Sequence, residues 1–295
     1  MNSITIDKIV FDWGILRMFV PVFFTLLTLP SFERISSAND IGLIRPQELN
    51  RELKNWIVLD ARPKSEWLAG HLPGARSFSW EDYTRTDKEG VPYRVWPPEE
   101  LSKALGDMGI DENTSVVIYG DADKSWGGEG WSCWVLLMLG HKGPIRLLDG
   151  GIQSWRNNNF PISKESEDKK IQVVHYQINL RPEIDITTAY LEQKRGEMSV
   201  VDVRSTIEWF KGHIPGAIHI SWTKFYSGGD RHTITPDELK RLLKEHGVDT
   251  SKPIVYYCAG GIRSSYAWLV HELSGLPSAR NYEGGMEAWQ RRPSK

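Results

Sequence analysis

The chain is poor in cysteine: Cys133 and Cys258 are the two it has among 295 residues. Two cysteines cannot build a disulfide framework or a cysteine-rich zinc site. A single bridge between them is disfavoured by local sequences that suggest different roles. Metal-type histidine spacing such as H-x-x-x-H is also lacking, so no metal and no organic cofactor is implied. An excess of positive charge is missing too. The formal net charge is -2, which leaves no electrostatic case for nucleic acid as a partner. Small anions stay open as substrates, because a site can be locally positive on a near-neutral protein.

Long apolar runs are scarce. Met18–Leu29 (MFVPVFFTLLTL) runs for twelve residues, short of the roughly 20 that a membrane-spanning helix needs. Lys8 and Arg17 precede it, and Ser36-Ser37-Ala38 follows with a small-x-small pattern. A basic region, a short apolar core and a small-residue exit form the layout of a secretory signal. Residues 1–38 are therefore read as a cleaved signal, placing the mature protein in the periplasm or otherwise outside the cytoplasm. The alternatives are an uncleaved membrane anchor, or a misassigned start with a cytoplasmic protein. Fold reasoning begins near Ile41.

What the sequence does have is a repeat. Residues 59–80 (LDARPKSEWLAGHLPGARSFSW) align without a gap on 201–222 (VDVRSTIEWFKGHIPGAIHISW), with eleven of twenty-two positions identical. Shared residues include Asp60/Asp202, Arg62/Arg204, Glu66/Glu208 and Trp67/Trp209. Further markers keep their order. Val116–Tyr119 parallels Ile254–Tyr257, and Asp149-Gly150-Gly151 with Trp155 parallels Glu283-Gly284-Gly285 with Trp289. The unit is a whole domain present twice, at 41–162 and 178–295, too long for a solenoid repeat. Between them, 163–177 reads as a linker, polar and charged in Ser163–Lys170.

Short Val- and Ile-rich runs at Trp56–Leu59, Val116–Tyr119, Ser199–Val203 and Ile254–Tyr257 read as strands of a parallel sheet covered on both faces. Helices lie between them. The clearest is TPDELKRLLKEHG, where Thr235 caps, Pro236 opens and Glu238 completes a capping box. Alternating strands and helices predict an α/β fold.

The strand Ile254–Tyr257 runs into Cys258-Ala259-Gly260-Gly261-Ile262-Arg263-Ser264 and then a helix through SSYAWLVHEL. Strand, glycine-bearing loop and helix make an anion site. Successive amides curl into a cradle, and the helix N-terminus adds partial positive charge. Gly260 and Gly261 allow the positive φ such a curl needs. A cysteine at its mouth is held as a reactive thiolate, with Arg263 adding a fixed charge. Cys133, inside the apolar WSCWVLLMLG, reads instead as inert packing.

These residues resemble the rhodanese family. The repeated D-x-R-x-x-x-E-[WY]-x-x-G-H-[IL]-P-G-A segment looks like its first conserved stretch. Cys258-x-x-Gly261-x-Arg263-Ser264 resembles its active-site loop, and Gly284-Gly285-x-x-x-Trp289 its C-terminal signature. The resemblance implies two tandem domains, each with a central parallel sheet flanked by helices. It also implies sulfur transfer through a persulfide on Cys258. The donor would be a small molecule, thiosulfate first and mercaptopyruvate second, or, third, a protein persulfide. The acceptor would be cyanide or a thiol, a protein thiol included.

The first copy departs from the pattern: Tyr119-Gly120 stands where the second has Tyr257-Cys258, followed by the acidic Asp121 and Asp123. It is expected to be inactive, with its longer loop, through KSWGGEGW to Trp131, helping to form the cleft between domains. Asp202 and Arg204 recur as Asp60 and Arg62, which favours a structural ion pair near the site over a catalytic role. His71 and His213, also shared, read as architecture, and the thirteen tryptophans as packing. Small loop residues resemble mercaptopyruvate-using relatives, Arg263 resembles many bacterial rhodaneses, and Glu208 occupies the region where an arginine would be expected for thiosulfate. Two rivals remain. A cysteine phosphatase or arsenate reductase uses C-x5-R, one residue longer than the C-x4-R here, and the tighter loop favours a single sulfur. A non-enzymatic persulfide carrier or redox-binding module is the other.

Overall fold

A computed structural model describes residues 40–165 and 171–292. The segment read as a signal or anchor, 1–38, lies outside the described residues, among which no helix is long and apolar enough to cross a membrane.

The first half carries strands β1 (Ile41–Ile44), β2 (Ile57–Asp60), β3 (Arg76–Ser77), β4 (Thr84–Arg85), β5 (Arg94–Val95), β6 (Val116–Tyr119) and β7 (Ile145–Leu148). Its main sheet has the order β1-β7-β6-β2-β3, parallel throughout. The second half carries β8 (Ser199–Asp202), β9 (Ile218–His219), β10 (Tyr226–Ser227), β11 (His232–Thr233), β12 (Ile254–Tyr257) and β13 (Arg280–Tyr282). Its parallel sheet, β13-β12-β8-β9, repeats the first order less one strand. An isolated parallel bridge, Asp185 to Asn281, stands where β1 pairs with β7.

Helices cover both faces. The first half has α1 (Pro46–Glu52), α2 (Lys64–Ala69), α3 (Pro98–Asp107), α4 (Gly128–Met138) and α5 (Gly151–Asn157). The second has α6 (Thr188–Lys194), α7 (Thr206–Phe210), α8 (Pro236–Glu245), α9 (Ile262–Glu272) and α10 (Gly285–Gln290). The pleat sorts the central strands: Val116 and Ile118 enter one core, Val117 and Tyr119 another. In β12, Ile254 and Tyr256 join the first of these cores, while Val255 and Tyr257 enter a third. One core therefore runs through both halves.

Helices α4 and α9 are the joint. Gly128–Leu137 of α4 and Ile262–His271 of α9 are buried throughout, as expected of helices walled in by protein on all sides. Gly130 lets them touch, since a Cβ there would lie 2.5 Å from the Tyr266 amide nitrogen. Glu129 crosses the joint, accepting a 2.6 Å hydrogen bond from the Tyr226 hydroxyl.

Two hairpins reciprocate. The β4–β5 hairpin reaches the second half, where the Val95 amide donates to Glu283 (2.8 Å) and Arg94 pairs with the same carboxylate. The β10–β11 hairpin reaches the first, where the Thr233 amide donates to Asp149 (3.1 Å) and Arg231 pairs with Asp123 (3.0 Å). Asp149 and Glu283 are the equivalent acids of the repeat, so the halves exchange matching contacts.

The segment between the two repeats is tied to the first half where it is described. Of 163–177, residues 166–170 lie outside the described residues, but those after 170 are no free tether. The Val174 amide donates to Gly106 (3.0 Å), the Gln177 amide to Glu112 (3.1 Å), and Tyr176 is buried against His141, 3.1 Å from its Nδ1. Tyr176 and Val174 give the strap apolar surface that a charge count of its first eight residues conceals.

Candidate functional site

Cys258 follows the last residue of β12 and is 2% exposed. Strand β12 is central in its sheet, so the chain leaves it at the carboxyl edge, where parallel sheets place ligands. The loop then turns through Ala259, Gly260 and Gly261 into α9. Among the described residues no backbone carbonyl accepts from the amides of Ala259 to Ser264. These are the orphan donors that open a helix, in the turn that follows the cysteine.

The turn is held from behind. The Met286 amide donates to the Cys258 carbonyl (2.8 Å) and the Glu287 amide to that of Ala259 (3.0 Å), so α10 ties the loop's oxygens away from the sulfur. Asn281, fully buried on β13, donates to the Gly261 carbonyl (3.2 Å) and sits 2.6 Å from the Ser264 hydroxyl. That hydroxyl is 3.6 Å from the Cys258 sulfur. Asn281 was not legible as a site residue from motifs alone. The signal was in the repeat: Asn281-Tyr282-Glu283 aligns with Leu147-Leu148-Asp149, a polar residue in the half that has the thiol and an apolar one in the half that does not.

The two glycines divide their tasks differently from expectation. Gly261 has φ +83 and caps α9, whereas Gly260 has no positive φ. Gly260 is needed because Tyr93 closes over it: a Cβ there would stand 2.6 Å from the tyrosine Cβ.

Arg263, read from the sequence as a fixed charge, is paired. Its guanidinium grips Glu208 bidentately, at 2.7 Å and 2.7 Å. Burial alone would lower the Arg263 pKa, but Glu208 and the neighbouring Cys258 outweigh it and hold it above its ordinary value. The same hydrogen bonds, with Ser205, bring the Glu208 carboxyl down to about 2. Glu208 also completes the capping box of α7 with Ser205. The region expected to lack an arginine's charge thus has an acid that occupies the arginine which is there. The first half follows the same plan with Lys124, which pairs with Glu66 at 2.6 Å.

Asp202 and Arg204 sit behind the site and do not line it. Arg204 binds Asp202 (2.6 Å) and the Gly212 carbonyl (2.7 Å), while the Tyr257 hydroxyl donates to Asp202 (2.7 Å). Asp60, Arg62, Tyr119 and the Gly70 carbonyl repeat the arrangement around the first GH[LI]PGA turn. His71 and His213 stack on Trp67 and Trp209, with centroids 4.3 Å and 3.6 Å apart.

In front of Cys258 opens a cavity of about 340 Å³. Cys258, Ala259, Gly260, Ile262, Arg263 and Glu208 line it from the second half; Gly261 and Ser264 lie behind the sulfur instead. The first half contributes Trp80, Tyr93 and Trp126. Tyr93 and Trp126 have φ of +65 and +56, a region that costs a bulky residue on the order of 1–3 kcal/mol.

The matching place in the first half is filled. Gly120 has no side chain, and the Glu129 carboxyl reaches into the space a side chain there would take. Burial raises the Glu129 pKa, and its second oxygen has no hydrogen-bond partner. Cys133 is fully buried in α4, with burial, and then Glu129, pushing its thiol up.

The family model for the rhodanese-like domain matches residues 45–158 and 186–292. The chain belongs to that family, as a tandem pair. It is 31% identical over 243 residues to the sulfur carrier protein TtuD of Thermus thermophilus, covering 75% of this chain and 82% of that protein. It is 32% identical over 251 residues to the 3-mercaptopyruvate sulfurtransferase of Mus musculus, covering 79% and 80%. Among solved structures, wild-type EanB superposes with a TM-score of 0.75 at 26% identity, over 86% of this chain and 68% of that one. This tandem rhodanese is a sulfurtransferase.

Proposed function

We propose that Cys258 carries sulfane sulfur as a persulfide, taking it from thiosulfate or mercaptopyruvate and passing it to cyanide or a thiol. The observation that carries this reading is the placement of the cysteine: at the end of a central strand, leading into a turn whose helix-opening amides have no backbone acceptor, and lining a cleft. Such donors stabilise a terminal persulfide anion.

With thiosulfate, the Cys258 thiolate forms a bond to the outer sulfur. The sulfur–sulfur bond breaks with its electron pair on sulfite, which leaves. With mercaptopyruvate the carbon–sulfur bond breaks, and the pyruvate enolate takes a proton from solvent. In the second half-reaction an acceptor thiolate or cyanide bonds to the outer sulfur and the Cys258 thiolate is the leaving group. Ala259, Gly260, Ile262 and Arg263, which line the cavity, supply the amides that hold the anion, while Gly261 and Ser264 hold the loop from behind. Asp202 and Arg204 position the turn under α7 and touch no substrate.

Intact-mass analysis after exposure to each donor tests this. A gain of about 32 Da at Cys258, absent from Cys258→Ser and discharged by cyanide, is expected. Mass gained at Cys133, or full thiocyanate production by Cys258→Ser, overturns it. A second reading, a persulfide carrier, is favoured by the resemblance to TtuD, named a sulfur carrier protein. Loading of Cys258 without steady turnover of thiosulfate and cyanide would select it.

A further inference from the structure

The half without a nucleophile still touches the site, and its contribution is aromatic. Tyr93 is 40% exposed and Trp126 54% exposed, both at the mouth of the cavity. Both are held with left-handed backbones. A backbone outlier persists where the surroundings over-determine it, and such outliers gather at functional sites. Here the surroundings are visible. Tyr93 lies across Gly260 and edge-on to Trp80, with centroids 6.0 Å apart; Trp126 is stacked near Trp222 at 6.3 Å and faces the Arg263 guanidinium at 5.8 Å.

The charge of the cavity points the same way. Among the described residues its lining has one cation, Arg263, and that cation is bidentate to the Glu208 carboxylate. Once Cys258 holds an anionic persulfide, the lining carries an excess of negative charge. A volume of about 340 Å³ suits an organic molecule. Exposed ring faces beside net negative charge attract a cation, quaternary ammonium groups above all.

Resting on the persulfide reading above, we propose that Tyr93 and Trp126 are specificity-determining residues and that they select an organic thiol acceptor bearing a cationic group. The acceptor thiolate bonds to the outer sulfur of the Cys258 persulfide and the cysteine thiolate leaves. The cationic group rests on the two rings while this happens, and no further oxidant or reductant is consumed.

The test uses the full chain, loaded with thiosulfate and freed of excess donor. Discharge of Cys258 is followed by mass with thiocholine, 2-mercaptoethanol and 3-mercaptopropionate, each rate expressed per thiolate. Thiocholine is expected to exceed 3-mercaptopropionate by about tenfold, the scale of a well-placed cation–π contact with charge attraction added. Because the ratio is taken within each protein, slower variants remain informative. Tyr93→Ala with Trp126→Ala is expected to bring the ratio near one, and Tyr93→Phe with Trp126→Phe to restore it. A wild-type ratio near one, or a ratio that survives the alanine pair, overturns the proposal. Wild-type protein that never gains sulfur at Cys258 defeats the persulfide reading and this one together; loading without preference defeats this one alone.

Discussion

Glu208 holds the charge balance of the Cys258 cleft in one side chain. It engages Arg263 through both oxygens and caps α7 through Ser205. Glutamine can take the same capping position, so Glu208→Gln separates the two tasks. The variant is expected to free Arg263 for anions and lower the KM for thiosulfate several-fold, measured by thiocyanate formation. An unchanged or higher KM would show that Arg263 does not reach the donor. Acid stability supplies a second reading of the same pair. Glu208 is held at about 2 by its hydrogen bonds to Arg263, below the ordinary carboxylate value. A depressed folded-state pKa stabilises above the unfolded value and loses that contribution as pH falls toward the folded one. The wild type should lose melting temperature faster than Glu208→Gln between about pH 4.5 and pH 2.

Elements, rather than single groups, decide how the loop is presented. Strand β12 delivers it, α10 holds its carbonyls and β13 holds its far end through Asn281. Asn281→Leu copies the residue of the first half and removes the bond to Gly261 without emptying the site. A folded protein with sulfur loading slowed about tenfold is expected, by stopped-flow or quenched mass analysis, in keeping with the cost of a lost buried hydrogen bond. Loading at the wild-type rate would make Asn281 mere packing. Elements also set how much could be read in advance. Helix α8 was legible to the residue, because Thr235, Pro236 and Glu238 are local signals and all three operate in the folded chain. Strands β6 and β12 were legible because four consecutive apolar residues buried on both faces leave few alternatives. The hairpins β4–β5 and β10–β11 were not. Their strands are two residues long, and what gives them purpose, Glu283 and Asp149, lies far away in the chain. Trp126 lay in a loop expected to reach the cleft, but Tyr93 carried no such signal.

At the scale of the molecule, the joint between α4 and α9 makes two domains act as one body. Gly130 is its tightest test. A methyl group there meets the Tyr266 backbone at 2.5 Å from its nitrogen, and backbone gives way less than side chain. Gly130→Ala should cost about 1–3 kcal/mol by overpacking, read from urea midpoints. Activity should fall beyond the loss of folded protein, because the cleft has walls from both halves. Normal stability and kinetics would show that the joint yields freely.

The filled cavity of the first half has a consequence for any second thiol placed there. Glu129 reaches across Gly120 and is fastened to Tyr226 in the opposite half. A thiol returned by Gly120→Cys would compete with that carboxyl for one volume, so the substitution alone is expected to add no second sulfur-bearing residue by mass. A working thiol there would require the acid to withdraw first, which breaks a bond between the two halves. The carboxyl that fills this space also braces one half against the other.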